Sequence, residues 1–144
     1  MSQKAIPNKN VQLRQYPLKT SQTTVLGDAV YLDTNGDVLI CGADPTTILG
    51  FQMMDYNANL EVDFYSDHVI VACAMPGSTF WLPGSTTFTQ AHEGQQYGIV
   101  VTSGAVTVDI SDTTNVVFVV ERVDLTRDLA EVSILPSIAQ LQGG

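Results

Sequence analysis

The residues equipped for chemistry are few. His92-Glu93 opens like a zinc-binding H-E-x-x-H pair, but Gln96 stands where the second histidine belongs. The glycine-bearing run 93–98 would hardly form the helix that such a site needs, so His92 is read as a solvated loop residue. His68 heads an apolar run and is read as a strand-end histidine satisfied by backbone; two histidines leave little for acid–base catalysis. Asp33-Thr34-Asn35-Gly36-Asp37 imitates the start of a calcium loop. Its glycine falls one position before the third ligand rather than after it, and Asp44 stands where a Glu is required. Asp109, Asp112 and Asn115, with Thr113 and Thr114, gather oxygens near one strand end, where Asx side chains ordinarily bond their own backbone. With 11 Asp in the chain, nothing selects one carboxylate pair for glycoside chemistry. No phosphate-cradling GxxxxGK[ST] loop and no GxSxG elbow occurs. Cys41 and Cys73 sit in no CxxC or zinc-type spacing and read as buried free thiols of a reducing compartment. Trp81, next to Phe80, reads as a core residue. The expectation is a protein without catalysis, metal or cofactor.

Charge points elsewhere. The 144-residue chain has a net charge of −9, unevenly spread. Residues 1–20 hold Lys4, Lys9, Arg14 and Lys19 and no acid, giving +4, whereas residues 21–144 set Arg122 and Arg127 against all 15 acids, giving −13. So acidic a body is poorly suited to nucleic acid, which demands clustered Lys and Arg, or to an anionic membrane. No run of about 18 apolar residues could cross a bilayer, and the N-terminus lacks the apolar run of a signal peptide. The four basic residues recur every five positions, a spacing that matches neither a helix face nor a strand face. Composition leaves two readings of 1–20: an extended arm that orders on a partner, or a disordered leader.

The elements that must position these residues are strands. Two apolar runs, 29–32 and 38–40, flank Asn35-Gly36, which predicts a hairpin with a two-residue type I′ turn. Strands are expected over 48–54, with Gly50 as a bulge, and over 60–65, 68–74 and 79–82. The second half adds 97–102, 105–110, 116–123 and 131–135, with 116–123 central in its sheet. No helical period persists over ten residues. Such strand density argues for an all-β barrel or sandwich over 21–136, followed by a short tail, 137–144, able to form one helical turn or none.

The order of these pieces resembles the small head-decoration, or cement, proteins of tailed bacteriophages. The resemblance runs through Gly27-Asp28-Ala29-Val30-Tyr31-Leu32-Asp33 and Ile48-Leu49-Gly50-Phe51. It continues through Glu93-Gly94-Gln95-Gln96-Tyr97-Gly98-Ile99, Val106-Thr107-Val108-Asp109 and Val119-Val120-Glu121-Arg122-Val123-Asp124, covering about residues 24–136. It implies a β-barrel or β-tulip-like body with an extended N-terminal arm. It also implies homotrimers on the outer capsid surface of a virion, made in the host cytoplasm, that brace neighbouring major capsid protein subunits.

On that reading the arm is the capsid-binding element. Twenty extended residues span at most about 65–70 Å, enough to reach a second shell subunit. Ile6, Val11, Leu13, Tyr16 and Leu18 would be the anchors that offset the ordering entropy, and Lys4, Lys9, Arg14 and Lys19 would set orientation and on-rate. The alternative is a receptor- or glycan-binding domain of a phage tail or surface appendage, which would gather Trp81, Tyr97 or Tyr65 on one open surface.

Overall fold

The computed structural model describes residues 4–19, 23–55, 68–102 and 104–142. The chain is all-β, as expected. Its strands are β1 (Ile6–Lys9), β2 (Gln12–Pro17), β3 (Ala29–Leu32), β4 (Val38–Ile40), β5 (Gly50–Gln52), β6 (His68–Cys73), β7 (Thr79–Pro83), β8 (Gln96–Val100), β9 (Thr107–Asp109), β10 (Phe118–Asp124) and β11 (Leu129–Ile134). They form a six-stranded sheet in the order β1-β7-β11-β10-β8-β9 and a five-stranded sheet in the order β2-β6-β5-β3-β4. Among the described residues every pairing between these strands is antiparallel. The strand expected over 60–65 lies outside the described residues.

Each sheet curls until one end strand meets the far side of the same sheet at a corner. Leu18, just past β2, makes a parallel bridge to Val38 of β4, and the Lys19 amide donates to the Val38 carbonyl at 3.0 Å. Gly84, just past β7, bridges Val108 of β9, and the Ser85 amide donates to the Val108 carbonyl at 2.8 Å. One bridge per sheet is less than a closed barrel. The two curled sheets pack face to face instead, which suits two short-stranded sheets that each have an apolar face to hide.

Alternation explains the packing. In β7 and β11, Phe80, Leu82, Ala130 and Val132 point inward and meet Phe118 and Val120 of β10 and Phe51 of the second sheet. The Phe51 and Phe80 rings meet edge to face at 4.9 Å and join the sheets. The second sheet is buried on its other face too, where Val30, Val38, Val69, Val71 and Cys73 gather with Leu18 and Leu49. Burial on both faces is why 68–74 reads as a continuous apolar run. As expected, β10 is interior to its sheet.

Several expectations need correction. The hairpin turn is not type I′, because Asn35 does not have a positive φ; Gly36 does, at 81°. The Asp33 carbonyl accepts from the Gly36 amide at 3.1 Å, and the Asp33 carboxylate accepts from the Asn35 and Asp37 amides at 2.9 and 3.0 Å. That side chain favours a type I turn closed by a left-handed glycine, the three-residue alternative. Gly50 is no bulge. It pairs in register with Cys73, and a Cβ there would lie 1.9 Å from the Ala72 carbonyl oxygen, so only glycine permits the approach of β5 to β6.

The tail makes one helical turn, within what the sequence allowed, and is docked on the body: residues 140–142 form a 3₁₀ turn, Ala139 is fully buried, and the Gln140 side chain clasps the Leu32 backbone through two 2.9 Å hydrogen bonds. Residues 6–17 do not lie apart from the body as an arm. β1 pairs with β7 and β2 with β6, so one short segment supplies an outer strand to both sheets. Backbone pairing accounts for this: an edge strand needs only one partner ladder and can leave polar side chains in water.

Candidate binding surface

The N-terminal segment turns between its two sheets at Asn10, which adopts a left-handed φ of 52°. Its side-chain amide donates to the Gly77 carbonyl at 3.2 Å, and its own carbonyl accepts the Ser78 hydroxyl at 2.6 Å. The expected anchors divide into two groups. Leu18 is buried in the second core, Tyr16 packs against it, and Val11 packs against the main core. Ile6 stands opposite Trp81 in the β1–β7 ladder. Leu13, in contrast, is 64% exposed and is the most open large apolar residue described.

The basic residues divide similarly. Lys4 donates to the Gly104 carbonyl at 2.6 Å, Lys19 lies 3.3 Å from Asp33, and Lys9 lies 3.7 Å from Glu131. Arg14 bonds the neighbouring Gln12 side chain, at 2.7 and 3.1 Å, also interacts with the Tyr16 side chain, and remains exposed. Most of the segment is therefore spent on the chain's own body. Asn8 to Asn10 are exposed too, but Gln12, Leu13, Arg14 and Gln15 form its longest exposed run.

Beside this segment lies a cluster that sequence reasoning missed. Glu131 of β11 faces outward, yet is only 2% exposed. Its carboxylate accepts from Asn8 Nδ2 at 2.7 Å, Thr79 Oγ1 at 2.9 Å and Arg122 Nε at 2.7 Å. These donors come from β1, β7 and β10, so one buried carboxylate ties four strands. Burial alone would raise its pKa. The hydrogen bonds from Arg122 and Thr79, with the charges of Arg122 and Lys9, outweigh burial and hold the carboxyl below its ordinary value.

Next to Glu131 in the ladder stands Trp81, half-buried on the outer face rather than in the core. The guanidinium groups of Arg127 and Arg122 lie 5.0 and 5.8 Å from its ring centroid. Arg127 is held in turn by Asp124 at 2.8 Å. The alternation of Phe80, Trp81 and Leu82 carried the signal, because two buried neighbours send the middle residue outward. Clefts of about 470 and 530 Å³ flank Arg122 on this face, and the second includes the exposed Leu125.

The Asp, Asn and His side chains with potential for chemistry are occupied structurally. Asp112 accepts from the Thr114 and Asn115 amides at 3.0 and 2.9 Å, and Asp109 accepts from the Ser111 amide and hydroxyl at 3.2 and 2.7 Å. His92 is not merely solvated: its Nδ1 accepts the Thr89 amide at 2.9 Å, and its ring meets Phe88 and Tyr97 edge-on at 5.9 and 5.8 Å. A recess of about 760 Å³ is lined by Tyr31, Asp44, Thr46, Thr47 and Gln140, with Cys41 also on its wall. Burial, followed by the nearby charge of Asp28, pushes the Cys41 thiol up to about 12, which makes it a poor nucleophile. Among the described residues no group of three or more His, Cys, Asp or Glu is arranged to hold a metal. Compared with known proteins, the chain matches no family model and no curated sequence.

Proposed function

We propose that this chain is a structural virion protein that docks on the outer surface of a phage capsid and stabilises the shell by bridging neighbouring major capsid protein subunits. The order of its sequence segments suggests the class of partner. The observation that carries the reading is the open stretch at Gln12, Leu13, Arg14 and Gln15, which offers an apolar side chain and an exposed cation on a segment otherwise docked to its own body. The means of attachment differs from that of a free tether. Residues 6–17 belong to the two sheets, so bridging depends on the footprint of the folded body, and trimer formation would multiply it. The glycan-reading alternative loses ground at two of its three aromatics, because Trp81 carries guanidinium groups over its ring and Tyr97 is only 7% exposed; Tyr65 lies outside the described residues.

The test is co-sedimentation with empty expanded shells of the same phage, with shell melting followed in parallel. Saturable binding and a higher shell melting temperature are expected. Protein left in the supernatant at every concentration would refute the proposal.

A further inference from the structure

Four strands end the two sheets, and three of their edges are covered or blunted. The β9 edge receives the Ser85 amide on Val108, and the β4 edge receives the Lys19 amide on Val38. β1 is four residues long, contains Pro7, and loses register between Pro7 and Lys9. Proline, irregular register and cover are the devices by which proteins protect sheet edges. β2 has none of them before Pro17. It is six residues long, keeps continuous register with β6 from Gln12 to Pro17, and has no second partner strand among the described residues. Gln12, Leu13, Arg14 and Gln15 all stand exposed along it.

We infer that the free edge of β2 is a β-augmentation site, which takes up an extended segment of the shell subunit as an additional strand. This rests on the shell-binding reading above and specifies its contact. Main-chain hydrogen bonds along the edge would supply affinity, and side chains on alternate faces would supply selectivity. Charge complementarity bears on the incoming segment: the only charge on β2 is Arg14, with Lys9 exposed nearby, and neither meets an excess of cations without cost. The incoming segment is therefore neutral or acidic, with an apolar residue that meets Leu13.

Amide hydrogen exchange of the full chain, free and bound to empty shells, tests the inference. Alternate amides within residues 12–17 should gain about tenfold or more protection on binding, the period of two reporting newly bonded outward N–H groups. A variant carrying Leu13→Lys and Gln15→Lys should melt like the wild type and bind shells about tenfold or more weakly, since lysines guard an edge against pairing. Shell binding with unchanged exchange over 12–17, or undiminished binding by the double variant, would overturn the edge assignment while leaving shell binding intact. Failure of the wild type to bind shells at all would overturn both.

Discussion

Replacing Glu131 with Ala removes the hub that joins β1, β7, β11 and β10. The carboxylate accepts three hydrogen bonds, from Asn8, Thr79 and Arg122. The Arg122 side chain is 59% exposed and that of Lys9 60%, so solvent screens much of their attraction, about 0–1 kcal/mol each. The Thr79 bond is buried and the Asn8 bond part-buried, and hydrogen bonds to a charged group contribute about 1.5–3 kcal/mol each before the relieved cost of burying the carboxylate is subtracted. A net loss of about 2–3 kcal/mol follows, which for a chain of this size lowers the melting temperature by about 6–12 °C. Circular dichroism melting, with the fluorescence of the sole tryptophan, Trp81, as a local probe, measures it. Asn8→Ala combined with Glu131→Ala should be less than additive by about 1 kcal/mol, because both remove one contact. A drop under about 2 °C, or strict additivity, would refute the hub. The same carboxyl sets a pH dependence. Its folded pKa is depressed, so its stabilisation is full above the unfolded value and is lost as pH falls through the folded one. Asp33, held low chiefly by the Asp37 amide, and Asp124, held low chiefly by Arg127, act in the same direction. Glu131→Ala should therefore flatten the acid limb of the stability curve.

Deletion of residues 1–20, which composition alone suggests should spare the body, should instead abolish cooperative folding. It strips the outer strand from both sheets and removes the buried Ala5 and Leu18, and a truncated chain that melts like the full one would contradict the fold. Val117→Asp should give insoluble or molten protein, since Val117 is 1% exposed and a charge there has no partner; a soluble variant with a cooperative melt would count against this packing. Cys41 and Cys73 should resist a thiol reagent in native protein and react on unfolding, with stoichiometric native labelling as the contrary result.

Legibility in the sequence followed the side chains. Val69, Val71 and Cys73 fill one core while Ala72 faces the other, so that strand announced itself as an unbroken apolar run. The N-terminal segment was misread because β2, Gln-Leu-Arg-Gln-Tyr-Pro, is held largely by its ladder to β6, and composition does not report backbone pairing. Glu131 was invisible for a related reason. A Glu alternating between Ala130 and Val132 looks solvated until Asn8, Thr79 and Arg122 arrive from three other strands. The hairpin at Asn35-Gly36 was legible as a hairpin. Its turn type was decided by the Asp33 side chain, a local competitor that the Asn-Gly pair alone does not reveal.

A reconstruction of shells decorated with this chain tests the central functional claim most directly. The account predicts density for the β-sandwich over junctions between capsid subunits, with residues 12–17 facing the shell and a shell segment paired alongside. Bare junctions after saturation, or a bound body with β2 turned toward solvent, would contradict it.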